Sequence, residues 1–391
     1  MSAVVTLAPP TSAAQTEAKM EIVVNRAALL AELTLAQGIT STKAVSPILM
    51  NILIEANDDS LTIIATNLDQ SVKTSVPAKV KTPGIVTLPA RKFFDYVKLL
   101  QAEEIKITAL DNGWVQIRSG RSNTKMAGMD RANFPVMPEP GAAPRFKIPV
   151  DAMLHMIGQT SYAVCREESR YTLAGALFCV SSDKLMMVAT DGHRLAYIEK
   201  NEKTAGVEKV ISALISIQAL ADLRGLLSST EETVLEFCED NSTLYFAFGH
   251  RKYSTRKLTG SFPNFKAVIP TANNRIAILA TKDLETSVRR VAQFADERGQ
   301  GVKLTLQDNA LKIASKSTET GESEEVLETV YSKEPVVIGF NASYLLDIFK
   351  ALGGKGEVRM ELKDGSSSAL LRPEVSDPEY TSFCVLMPLR V

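Results

Sequence analysis

The chain has 391 residues, 45% of them hydrophobic, with 44 basic against 45 acidic side chains and a formal net charge of −1. At about 100–200 residues per domain this length fits two to four domains, and near-neutrality argues against a surface that grips nucleic acid all round while leaving room for a local basic lining. Cys165, Cys179, Cys238 and Cys384 form no CxxC pair and have no histidine at ligand spacing, so they read as buried thiols of a reducing compartment, with no metal or cofactor site expected; no run of ~18 apolar residues predicts a membrane span.

Residues 1–19 carry neither a basic start nor an apolar run long enough for a secretory signal, and they read as a disordered extension. The folded chain is expected from Met20. Its first helix has Asn25 as candidate N-cap, with Leu29, Leu30 and Leu33 on one face. A hairpin follows, LIEANDDSLTIIATN, in which apolar residues alternate around an acid-rich turn, as a half-buried antiparallel pair requires. IVTLPARKFFDYVKLL predicts a strand running into a second helix, and IKITALDNGWVQI a second hairpin before NFPVMPEP.

These four blocks recur twice more in the same order. The second copy has a helix with Leu154 and Ile157 after a candidate cap at Asp151, then LFCVSSDKLMMVATD, VISALISIQALADLRGLL and VLEFCEDNSTLYFAF, ending in SFPNFKAVIP. The third has Leu284, Val288 and Val291 on a helix, then LTLQDNALKIASK, VVIGFNASYLLDIFKAL and VRMELKDGSSSALL. Ala65, Ala189 and Ala314 fall in register at spacings of 124 and 125, and Asp95, Asp222 and Asp347 at 127 and 125. The reading is three α+β domains of antiparallel strands with two helices each: 20–143, 144–270 and 271–391. Three such blocks can curve into an arc, and two arcs joined head to tail close a ring.

ATDGHRLA (189–196) places an acid, a glycine, a histidine and an arginine together. Asp191 and His193 could serve a nucleophile, yet no GxSxG, HExxH or GxxxxGK[ST] accompanies them, and GGKGEV (353–358) has the composition of a turn. A structural turn is the plainer alternative, with Gly192 supplying a permissive backbone and Asp191 binding local N–H groups. A repeat protein that assembles without DNA also remains open.

Set on the threefold repeat over residues 20–391, ATDGHRLA, FPNFKAVIP, GFNASYLLDIF and the terminal VLMPLRV resemble the bacterial DNA sliding clamps, the β subunits of polymerase III holoenzymes. The resemblance implies three clamp domains per chain, sheets outside and helices inside, closing as a head-to-tail dimeric ring around duplex DNA with no catalytic residue. It implies a peptide-binding pocket between the second and third domains. One wall matches Thr190, Gly192, His193, Arg194 and Leu195, with Leu173 nearby. Pro263 and Val268, then Asn341 and Tyr344, then Ser366 and Ser368 match further positions, and the tail Val385, Leu386, Met387, Pro388, Leu389 and Arg390 completes it. Leu173, Leu195, Val268, Met387 and Leu389 offer an apolar slot; Asn341, His193 and Arg194 are candidates to orient a peptide backbone or a Gln side chain. Ala267 stands where well-studied clamps carry an arginine, and Gly299 where some carry an aromatic, which implies a more open, less polar rim.

For DNA, the helices offer Arg26, Lys92, Lys98, Lys282, Arg289 and Arg290, and the family's DNA-contacting loops match Lys43, Arg170 and Tyr171. VISALISI (210–217) is apolar where relatives often carry basic residues, which implies a weakly basic lining. For ring closure, Glu322, Glu324 and Glu325 match one side, and Arg121, Lys125 and Met126 the other. The implied partners are a second copy, double-stranded DNA, the replicative DNA polymerase, the clamp loader and other clamp-binding-motif proteins. The implied location is the cytoplasm, with no membrane.

Overall fold

A computed structural model describes residues 19–41, 46–296, 299–318, 321–354 and 356–390. The chain divides into two compact units, Met1–Met137 and Pro138–Val391. Of the expected N-terminal extension, residues 1–18 lie outside the described residues; Lys19 is placed, with its Nζ 2.8 Å from the Asp111 carboxylate.

In the first unit, β1 (Glu21–Asn25) leads into α1 (Arg26–Ile39), followed by β2 (Asn51–Asn57), β3 (Ser60–Thr66), β4 (Gln70–Thr82) and β5 (Gly84–Pro89). Then come α2 (Ala90–Leu99), β6 (Glu104–Ala109), β7 (Trp114–Ser119) and β8 (Ser122–Ala127). The strands pair antiparallel in the order β5-β2-β3-β4-β1-β6-β7-β8. Alternation selects the buried face: Ile22, Val24, Ile52, Ile54, Ile105 and Ile107 are buried, and the residues between them are more exposed. Leu29, Leu33 and Ala36 of α1 and Phe93 and Val97 of α2 are buried where the two helices meet each other and the strands. Asn25 caps α1 as expected, its Oδ1 accepting from Ala28 N at 3.1 Å.

The second unit contains two further copies. The first runs β9 (Phe146–Pro149), α3 (Val150–Thr160), β10 (Gly175–Val180), β11 (Lys184–Thr190), β12 (Arg194–Asn201), β13 (Ile211–Ser216), α4 (Ile217–Leu227), β14 (Val234–Glu239), β15 (Thr243–Phe248) and β16 (Arg251–Arg256). The second runs β17 (Arg275–Ala280), α5 (Thr281–Val291), β18 (Gly301–Gln307), β19 (Ala310–Ser317), β20 (Gly321–Glu328), β21 (Val336–Asn341), α6 (Ala342–Ala351), β22 (Glu357–Leu362), β23 (Ala369–Pro373) and β24 (Tyr380–Leu386). Each copy therefore holds eight strands and two helices among the described residues. The strand-like EIVV after Met20 is β1, whereas the opening strands β9 and β17 of the other two copies, and the third strand of each hairpin, are additions to the pattern read from the sequence.

One sheet joins the two copies. Its order is β13-β10-β11-β12-β24-β23-β22-β17, and β12 zips to β24 over the register Arg194↔Leu386 to Lys200↔Tyr380. A second sheet runs β20-β19-β18-β21, leaving β20 at its edge, as β8 is at the edge in the first unit.

Three expectations need correction. Asp151 is not the cap of α3. Pro149 holds that position, and Asp151 lies inside the first turn with its Oδ1 2.7 Å from Ala152 N. Ala314 does not match Ala65 and Ala189. Those two are buried, whereas Ala314 is half-buried and the neighbouring Ser315 is the buried residue; a strand alternates with period two, so a slip of one residue changes face. The apolar stretch 210–217 is mostly β13, a buried strand with Ala213, Leu214 and Ile215 in the core, so its composition reflects burial rather than the charge of any lining.

Candidate functional site: a turn, a sheet face and a C-terminal strand

The turn between β11 and β12 is tied by its own side chains. Asp191 Oδ1 accepts from His193 N at 2.9 Å and Arg194 N at 3.0 Å, while Thr190 Oγ1 accepts from Gly192 N at 3.1 Å and donates to Arg194 O at 2.7 Å. Gly192 has φ +89, a conformation disfavoured for any residue with a Cβ. The other Asp191 oxygen accepts from Arg194 Nε at 3.0 Å. The carboxylate is thus spent on the turn and on arginine, and the His193 ring is not its partner. That removes the catalytic-pair reading.

Arg194 is 9% exposed, and each terminal nitrogen has a partner: NH1 donates to Asp347 Oδ2 at 2.7 Å and NH2 to the Tyr162 carbonyl at 2.6 Å. Its guanidinium also lies 4.3 Å from the centroid of the Tyr344 ring. Tyr344 stands in the first turn of α6, near-parallel to the exposed His193 ring at 6.2 Å. Asn341 caps that helix, its Oδ1 accepting from Tyr344 N at 3.2 Å and its Nδ2 reaching Gly299 O at 3.4 Å. Two of the three polar groups expected to orient a peptide, Arg194 and Asn341, are therefore committed to structure. His193 alone of the three presents an exposed side chain.

The apolar floor is one face of the joined sheet. Leu177, Val188, Tyr197 and Phe383 face one another in register across β10, β11, β12 and β24, and Leu195 faces Val385 in a second row. Tyr197 stacks on Phe383 at 4.6 Å, and Phe262, Phe265 and Ile269 pack over the cluster. Burial, followed by its bond to Glu199, pushes the Tyr197 phenol above its ordinary range. Leu195 and Val385 are buried members of this face, and Leu386, the next residue along β24, is buried on the opposite face. Leu173 is half-buried, Pro263 is exposed, and Val268 and Met387 are 52% and 48% exposed. The tail is fixed at two points: Met387 N donates to His193 O at 2.9 Å and Leu389 N to Gly339 O at 2.8 Å. Pro388 is half-buried and Arg390 exposed. Ser366 Oγ and Ser366 N both bond Asp364, whose carboxyl is held down at about 2 by these bonds and those of Ser367, and the Ser368 carbonyl accepts from Asn273 at 3.0 Å. At Gly299 a Cβ would meet open space, and Ala267 is exposed.

Tyr162, Asp347, Tyr197, Phe383, Phe262 and Phe265 were not read from the sequence as part of this site. Alternation in RLAYIEK and YTSFCVL carries the signal for Tyr197 and Phe383; Asp347 stood out only as a repeated position.

The expected DNA-facing residues divide. Arg26 donates to the Val97 and Lys98 carbonyls at 3.1 and 2.8 Å, capping the C-terminus of α2. Arg289 pairs with Glu285 and Arg290 with Glu325, both within bonding distance. Arg170 donates to Asp191 O at 3.1 Å and pairs with Glu167 at 3.2 Å, which places it against the turn, beside the exposed Tyr171. Lys92, Lys98 and Lys282 are exposed and make no ion pair among the described residues. Lys43 lies outside the described residues. On the edges, Arg121 and Lys125 are exposed and Met126 is buried; Glu322, Glu324 and Glu325 pair within the chain with Lys316, Lys312 and Arg290. No group of three or more His, Cys, Asp or Glu suited to a metal occurs among the described residues.

Comparison with known proteins agrees along the chain. Residues 20–138, 147–264 and 266–390 match the N-terminal, central and C-terminal domains of the DNA polymerase III beta subunit. The chain is 32% identical over 380 residues to the beta sliding clamp of Caulobacter vibrioides, covering 95% of this chain and all of that one, and 28% identical to that of Vibrio cholerae. The DnaN sliding clamp of Bartonella birtlesii bound to griselimycin superposes with TM-score 0.90 at 31% identity, covering 96% of this chain and 100% of that one. The Caulobacter crescentus clamp, with polyethylene glycol at a putative beta-motif tethering region, gives TM-score 0.88 at 31% identity over the same shares. The three-copy fold is that of a sliding clamp, a class of non-catalytic processivity factors. The chain belongs to the DNA polymerase III beta-subunit family.

Proposed function

We propose that this chain closes with a second copy, head to tail, into a ring around duplex DNA and holds the replicative polymerase there. Partner peptides, including those of the polymerase and the clamp loader, dock on the face formed by Leu173, His193, Val268, Tyr344 and Met387 in the cytoplasm. The carrying observation is an apolar row across four strands, Leu177, Val188, Tyr197 and Phe383, packed with Phe262, Phe265 and Ile269, together with half-exposed Met387 and Val268 and an exposed His193. Few apolar anchors with a small number of polar groups is the make-up of a peptide cleft. Three clamp domains, 20–143, 144–270 and 271–391, supply the arc. The edges support closure, since β8 carries Lys125 and β20 carries Glu322, Glu324 and Glu325, and an unpaired edge favours addition of another strand. Lys92, Lys98 and Lys282 on the helices attract phosphates without reading bases.

The test is retention. Loaded on nicked circular DNA, the protein should survive a high-salt wash and run off once the DNA is linearised. Equal salt sensitivity on circular and linear DNA overturns the ring reading.

A further inference from the structure

Arg194 joins elements from two copies of the repeat at one buried guanidinium. It stands at the start of β12, and Asp347 reaches it from α6 at 2.7 Å, while the Tyr162 carbonyl reaches it at 2.6 Å from just beyond α3. Asp191 has both oxygens engaged inside the turn, so the tie to α6 comes from Asp347. Asp347 itself is 45% exposed at its side chain and lies one helical turn after Tyr344. Burying an arginine is costly unless its donors are matched, and here the match fixes where α6 sits relative to the turn. The Tyr344 ring lies 4.3 Å from the Arg194 guanidinium and stacks near-parallel to the His193 ring at 6.2 Å.

We propose that Asp347 is a positioning residue of the peptide pocket: through Arg194 it holds Tyr344 and the Thr190–Leu195 turn in the arrangement a peptide meets, without touching the peptide. This rests on the reading of that face as the docking site.

The experiment measures binding of a fluorescein-labelled peptide containing a Gln and a Leu–Phe pair to the full-length protein, at a temperature well below every variant's melting point. Asp347→Ala is expected to weaken binding about tenfold, the scale of coupling within one hydrogen-bonded charge network. Asp347→Asn, which keeps an acceptor of the same shape, should fall between Asp347→Ala and the unaltered protein. A lower melting temperature with unchanged affinity in Asp347→Ala means a stabilising role only and overturns the proposal. Should Asp347→Ala fail to fold, unchanged affinity in Asp347→Asn overturns it equally. Met387→Ala runs in parallel. If it also leaves affinity unchanged, the docking reading itself is wrong; if it weakens binding and the Asp347 variants do not, only the positioning role falls.

Discussion

Asp95, Asp222 and Asp347 each occupy the sixth residue of a helix that follows a strand, yet their surroundings give them three different tasks. Asp95 makes an exposed i,i+4 pair with Arg91 at 3.1 Å, of little energetic weight. Asp222 is half-buried, accepting from Gln218 at 2.9 Å and Tyr253 at 3.3 Å, and burial raises its carboxyl to about 6. The folded chain therefore holds that proton more tightly than the unfolded chain, whose aspartate titrates near 3.8. Stability contributed by the protonated form is present below pH ~4 and is lost as pH rises toward about 6. Asp222→Asn should flatten this slope and raise stability at pH 7 by about 1–2 kcal/mol, read from urea melts across pH 4–8; a variant less stable at pH 7 counts against the assignment. Such differences were hidden in the sequence. The cap at Asn25 was legible, because an asparagine before an apolar-periodic run marks a helix start, whereas Asn341, read as a peptide contact, caps α6. The burial of Arg194 was not, since its partners lie 32 and 153 residues away.

Helices and strands at this level follow the repeat closely. Leu284, Val288 and Val291 line the buried side of α5 as their spacing implies. In the hairpin β18–β19 the turn residues Asp308 and Asn309 both take positive φ, as a two-residue turn matching strand twist demands. The short opening strands β9 and β17 escaped notice because four to six residues before a helix carry too little periodicity. The peptide floor was half legible. Its tail and turn were read from motifs, whereas Tyr197 and Phe383 become neighbours only through the pairing of β12 with β24. Met387 is half-exposed, so Met387→Ala should cost about 1 kcal/mol of peptide affinity, less than a fully buried anchor. Removing residues 387–391 should lower affinity further and leave β24 paired, checked by peptide titration alongside far-UV circular dichroism. Loss of the native spectrum would show the tail to be part of the fold's support.

The whole molecule should sediment at twice the 42.5 kDa chain mass at micromolar concentration. Reversing Glu322, Glu324 and Glu325 to Lys should shift it toward the monomer, because like charges would then face Lys125 across the joined edges. A dimer unaffected by that triple reversal places the contact elsewhere. With a net charge of −1 and Arg289 and Arg290 already paired, direct affinity for DNA should be weak and fall with salt at a slope of ~0.9 per phosphate neutralised. The β12–β24 pairing has a mechanical consequence. Seven consecutive residue pairs make the seam between the second and third copies a continuous ladder, and Gln159 of α3 adds a bond to the Ala351 carbonyl at the end of α6. Such a joint has no hinge, so those two copies bend together as one stiff beam. If the chain closes into the proposed ring, whatever elastic give its opening needs comes from outside this seam, which moves as a whole rather than folding in the middle.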